Sequence, residues 1–174
     1  SGNNLLRKRD LTIFYILIFC GLRRGELIGL QVMDADMEKR ILTVRGETSK
    51  SRRTRKIPMN PELFLQLEDY LKERKERNYK TEYLIVSTNK DTSFTSHGLK
   101  HWVNRLRQLS GVRFHLHQCR HTFACNLARV GASSIVIQKS MGHTDLRMTE
   151  RYLRSMGVED LRSDINKLSL ANLN

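Results

Sequence analysis

Residues 117–130 read His117-Gln118-Cys119-Arg120-His121-Thr122-Phe123-Ala124-Cys125-Asn126-Leu127-Ala128-Arg129-Val130. At about 100° per residue, Cys119, Phe123, Leu127 and Val130 fall on one face of a helix. His117 and Arg120 lie one turn apart beside that face, so an apolar stripe and a polar stripe are distinct. Gly131 stands where such a helix stops. A second apolar segment, Ser134 to Met141, ends on Gly142 in the same way. A third helix is expected over about Asp145 to Arg154. One histidine and one arginine on a helix say little by themselves; their meaning comes from the rest of the chain.

Toward the N-terminus, Leu11 to Cys20 reads as a buried helix with Asp10 as N-cap and Gly21 as stop. A short helix follows from Arg24 to about Leu30. Ile41 to Arg45 and Thr54 to Ile57 read as two strands, joined by a polar hairpin loop from Gly46 to Arg53. Asn60-Pro61 opens a helix as cap and first residue, with Phe64, Leu67 and Leu71 as its apolar face. Leu84 to Val86 is a candidate short strand. Leu99, Trp102, Val103 and Leu106 make a helical stripe. Beyond Arg154, the spacing of Val158, Leu161, Ile165 and Leu168 predicts a small amphipathic helix whose face needs a partner. The predicted class is mainly α with a small antiparallel β-sheet, in one α+β domain over residues 1–174.

The bulk properties narrow the function. A chain of 174 residues that is 39% hydrophobic can bury a core without disulfides. The 31 Lys and Arg against 18 Asp and Glu leave a net charge of +13. Such an excess favours polyanions through counterion release, with nucleic acid slightly ahead of a membrane surface. Cys20, Cys119 and Cys125 are an odd number without CxxC spacing, which points to reduced thiols in a cytosolic core. The apolar run from Leu11 to Leu22 is too short to span a bilayer. The chain opens Ser1-Gly2 rather than on Met, so further upstream sequence is expected. Zinc at His117, Cys119, His121 and Cys125 is disfavoured, because Cys119 would lie about 160° from His121 on the helix.

Four motifs in order change the weight of the single residues. They are Gly21-Leu22-Arg23-Arg24-Gly25-Glu26-Leu27; Lys50 in the hairpin loop ahead of Ile57-Pro58; His117 with Arg120-His121; and Met141-Gly142-His143 with Tyr152 nine residues on. In this order the chain resembles the tyrosine recombinases of the phage-integrase kind, from about Asp10 to Arg154. Three features depart from, or blur, the family pattern. Leu116 stands where many relatives have Pro, Arg24 sits beside Arg23, and the loop is so basic that Lys56 is a fallback for Lys50.

The resemblance implies the tyrosine recombinase catalytic-domain fold and a metal-free, ATP-independent enzyme. That enzyme breaks and rejoins double-stranded DNA through a covalent 3′-phosphotyrosine. It implies roles for six residues. Tyr152 is the nucleophile, Arg23 and Arg120 clamp the phosphate, and His117 takes the phenol proton. His143 hydrogen-bonds the phosphate or orients Tyr152, and Lys50 protonates the leaving 5′-oxygen. These types suit the task. Guanidiniums offer fixed, forked donors to a charged transition state. A phenol with a pKa near about 10 needs a base.

Glu26 and His121 are expected to support Arg23 and Arg120. Arg24, Arg45, Arg52, Arg53, Arg55 and Lys56 are expected to contact DNA phosphates. No cofactor or metal and no membrane is expected, and the partners are DNA and other protomers of the same recombinase. The setting would be a bacterial cytoplasm, on the nucleoid. Relatives carry an N-terminal core-binding domain, expected to be absent here, and residues 157–174 are a candidate tail for docking on a neighbouring protomer or in cis on their own domain. The competing readings are a type IB topoisomerase or telomere resolvase, and an inactive DNA-binding relative.

Overall fold

The computed structural model describes residues 2–87, 89–143, 147, 149–150, 154 and 165–166. Its spine is helix α1 (Gly2–Cys20), which begins well before the predicted start at Leu11. Leu5, Ile13, Ile16, Leu17 and Cys20 are all buried on one side of it. Arg9 shares that side. Its Nη1 donates to the Val86 carbonyl at 3.3 Å, and its guanidinium lies 4.4 Å from the centre of the Phe94 ring. Asp10 is therefore not a cap. It sits inside the helix and accepts from Arg9 and from Arg105.

Gly21 ends α1 at φ +60, a left-handed conformation that glycine adopts without strain. A short helix, α2 (Arg24–Ile28), follows at once. Three antiparallel strands come next: β1 (Ala35–Asp36), β2 (Ile41–Val44) and β3 (Arg55–Pro58), in the order β1-β2-β3. Leu42 pairs with Ile57 and Val44 with Arg55, and all four side chains are buried. Strand β1, only two residues long, is an addition to the predicted pair. The predicted strand Leu84–Val86 is wholly buried, but only isolated bridges form beside it, Gln31 to Tyr83 and Val86 to Ser93.

Helix α3 (Pro61–Glu76) starts where predicted, with the Asn60 side chain accepting from the Leu63 N–H at 2.9 Å. Its buried face is Leu63, Leu67, Tyr70 and Arg74, rotated from the predicted one, and Phe64 and Leu71 are only partly covered. The rotation admits the Tyr70 hydroxyl, which donates to the Leu84 carbonyl and accepts from the Val86 N–H. Helix α4 (Ser96–Ser110) buries Leu99, Trp102 and Val103, as its stripe predicts.

Helices α5 (Leu116–Arg129) and α6 (Ser134–Met141) close the described fold. Phe123, Ala124, Ala128, Ile137 and Met141 form a small second core between them. Val130 lies past the end of α5 and is 76% exposed, so it is not part of the apolar face expected of it. The predicted helix over Asp145 to Arg154 and the tail stripe of Val158, Leu161 and Leu168 lie outside the described residues, while Ile165 is exposed. Among the described residues, no helix is long and apolar enough to cross a membrane.

The α1–α5 contact is tightest at Gly21, where an added Cβ would stand 2.3 Å from Phe123 Cδ1. Gly21→Ala combines that overlap with a strained φ and is predicted to destabilise the fold by roughly 2–4 kcal/mol. The urea midpoint measures this; an unchanged midpoint would show that the turn has another conformation.

Candidate active site

The turn at Gly21 sends Leu22 into the core and leaves Arg23, half-buried, as the residue that caps α2 in an extended conformation. Three residues on, Glu26 is 1% exposed. Its carboxylate accepts from the Arg23 backbone N–H at 2.9 Å and from Arg23 Nη1 at 3.2 Å. It also accepts from the Ser49 hydroxyl at 2.8 Å, and from Arg55 Nη1 and Nη2 at 2.9 and 2.8 Å. Burial alone would raise this carboxyl. The Arg55 guanidinium, the Arg23 N–H and the Ser49 hydroxyl outweigh burial and hold it at about 2.

Arg120 is 3% exposed on α5. Its Nη1 donates to the Gly21 carbonyl at 2.6 Å, and its Nη2 to the Met141 carbonyl. One guanidinium thus ties the end of α1 to the end of α6. His143 follows Gly142, the left-handed cap of α6. It is buried, its N–H donates to the Gln138 carbonyl at 3.1 Å, and its Nδ1 is 3.0 Å from the Thr149 hydroxyl. Burial pushes the His143 imidazole down, and the charges of Arg120, Arg23 and Arg55 push it further, to about 4. The imidazole is therefore neutral at pH 7. The bonds of Arg120 to the Gly21 and Met141 carbonyls set the segments carrying Arg23 and His143 on either side of it.

The other candidates divide. His117 is exposed on the first turn of α5, one turn before Arg120, and its side chain makes no hydrogen bond to another described residue. Lys50, Arg52 and Arg53 are in or beside the loop between β2 and β3; Arg52 and Arg53 are exposed, as are Lys50, Arg24 and Lys56. His121 is exposed, with Nε2 3.4 Å from Cys125 Sγ. Arg120 has its described support from two backbone carbonyls instead. Tyr152 lies outside the described residues. Among the described residues, no group of three or more His, Cys, Asp or Glu is placed to hold a metal ion.

One expected phosphate contact is corrected. Arg55 is buried on Glu26, its Nε donates to the Ser140 carbonyl at 2.9 Å, and its guanidinium is thus engaged inside the protein. Arg45 is half-buried; it pairs with Asp34 at 3.1 Å and with the exposed Glu47, and donates to the Gly29 carbonyl at 2.7 Å. The clue for Arg55 was its strand parity: it shares the inward face with Ile57, while Lys56 faces out. Ser49, which anchors the loop to Glu26, carried no signal distinguishing it from its neighbours.

The chain matches the family model described as the phage integrase family over residues 2–157. It is 32% identical over 164 residues to tyrosine recombinase XerA of Pyrococcus horikoshii, covering 93% of this chain and 55% of that protein. It therefore spans about half of that relative's length. The crystal structure of XerA recombinase superimposes with a TM-score of 0.79 at 26% identity, over 95% of this chain and 62% of that one. The Tn1549 transposon integrase in complex with circular intermediate DNA gives 0.69 at 26% identity, over 92% and 59%.

The depressed His143 predicts how stability follows pH. Unfolded, this histidine takes up a proton near 6.5; folded, only near 4. Stability is therefore lost as pH falls through that window, by about 2 kcal/mol between pH 7.5 and 5 from this group. Below about 4.5, protonation of unfolded Glu26 adds to the loss. Urea midpoints of wild type and His143→Asn at both pH values isolate the histidine share. Identical pH dependence in the two proteins would show that His143 is not desolvated as described.

Proposed function

Because the chain belongs to the phage integrase family, we propose that it is the strand-cleaving and strand-joining domain of a site-specific tyrosine recombinase acting on double-stranded DNA. The observation that carries this reading is Arg120 bonded to the carbonyls of Gly21 and Met141, two residues before Arg23 and two before the buried His143. Two guanidiniums and a neutral imidazole suit a phosphodiester that gains negative charge as it is attacked. The alternatives are less favoured, because the relatives quoted above are recombinases and an integrase rather than topoisomerases.

The proposed steps follow from the residue types. Arg23 and Arg120 grip the non-bridging oxygens of the scissile phosphate. The phenol oxygen of Tyr152 attacks phosphorus while His117 takes the phenol proton. The bond from phosphorus to the 5′-oxygen breaks, and Lys50 gives that oxygen a proton. His143 Nδ1 lies 3.0 Å from the Thr149 hydroxyl; in the tautomer in which that hydroxyl donates, Nε2 carries the proton and can donate to the phosphate. A 5′-hydroxyl from another strand then attacks the phosphotyrosine in reverse. The ester linkage is conserved throughout, so no ATP is required, and the arginines supply the charge that a metal ion would otherwise provide.

Arg24, Arg52, Arg53 and Lys56, all exposed, are assigned to the DNA backbone, which positions the protein without reading bases. Further protomers on the same DNA would supply the second strand exchange. The protein would act wherever its DNA lies, on the nucleoid.

A suicide substrate, nicked beside the cleavage point and resolved on a denaturing gel, tests the reading. Wild type is predicted to give a DNA-linked protein band that Tyr152→Phe loses. Arg120→Ala should lower its rate of appearance by about 100- to 1000-fold while affecting DNA affinity far less. A normal band in Tyr152→Phe removes the nucleophile assignment.

A further inference from the structure

Arg55 was expected at the DNA surface, and its actual place gives it a different role. Resting on the recombinase reading above, we propose that Arg55 is a positioning residue: its guanidinium is a strut that sets the spacing between the α2 turn bearing Arg23 and the α6 turn bearing His143.

All three nitrogens of the group are in use. Nη1 and Nη2 form a fork onto the two oxygens of Glu26. Nε donates in a different direction, to the Ser140 carbonyl in the last turn of α6. Glu26 in turn orients Arg23 through both its backbone N–H and its guanidinium. On the other side, the α6 cap lies directly against the strut. A Cβ on Gly142 would stand 2.9 Å from Arg55 Nη1 and 3.3 Å from Cδ and Cζ. Ser49 adds a third element, tying the residue before Lys50 to the same carboxylate. Arg55 is therefore joined to the segments carrying Arg23, Lys50 and His143 through bonds of fixed direction.

Only arginine can do this. Its planar fork meets a carboxylate with two donors and leaves Nε for a third partner, whereas a lysine ammonium is a single point of charge. A need for stability alone does not explain the pair, since a buried ion pair is often no more stabilising than apolar side chains of similar volume. A need for direction does explain it, because small misplacements in a reacting site cost rate rather than binding.

The test compares wild type with Arg55→Lys in four measurements. These are thermal unfolding, DNA affinity, the single-turnover rate of covalent adduct formation at saturating protein, and the His143 ring resonances by NMR without DNA. The strut predicts that folded Arg55→Lys keeps DNA affinity near wild type, loses about 30- to 100-fold in adduct formation, and shows displaced His143 resonances. An unchanged rate, or an equal loss of rate and affinity, overturns it. Should Arg55→Lys fail to fold, Glu26→Leu/Arg55→Met replaces the pair by an apolar one; cleavage stays lost if direction matters, and cleavage near wild type overturns the proposal. A wild type without a Tyr152-dependent adduct refutes the recombinase reading instead. In that event the NMR comparison still decides the strut, since unmoved His143 resonances overturn it.

Discussion

A carboxylate taken almost completely out of water must be matched by cations and donors, and in this protein that constraint falls on Glu26. It gathers Arg23, Ser49 and Arg55 around two oxygens. These residues come from a helix cap, a hairpin loop and a strand, so the carboxylate fixes the α2 turn against the β2–β3 hairpin. Arg120 plays the matching part, joining the carbonyl just past α1 to the last carbonyl of α6. The α6 carbonyl lies at the negative end of a helix dipole, which favours a cation there.

The site therefore combines strong positive charge with a neutral histidine. Burial first, and then the same guanidiniums that would attract a phosphate, keep His143 from gaining a proton.

Much of this was legible in the sequence, and the failures have physical causes. The α4 stripe and the bounds of α6 follow from periodicity and glycine stops, and Asn60-Pro61 marks the start of α3 without ambiguity. The start of α1 was missed because its first half is polar; Arg9 is buried there by stacking on Phe94, which local composition does not reveal. The face of α3 was displaced because Tyr70 and Arg74 point inward, and their partners lie far along the chain. At the site, Arg23, Arg120 and His143 could be named only through the resemblance of four ordered motifs to a known family. Arg45 and Arg55 could not be told from Arg52 and Arg53, because a run of basic residues conceals which ones meet a buried carboxylate.

The neighbours Arg55 and Lys56 show what this implies for variation. They lie on opposite faces of β3, one in the protein and one in solvent, as the alternation of a strand requires. Residues added or removed at the exposed tip of the hairpin, around Arg52 and Arg53, leave that parity intact, although they would shift Lys50 and the Arg52 backbone that closes on Gly46. A single insertion within β3 would turn Lys56's face inward and Arg55's outward. Indels at the apex would therefore spare the buried fork of Arg55 on Glu26, and an insertion within β3 would break it.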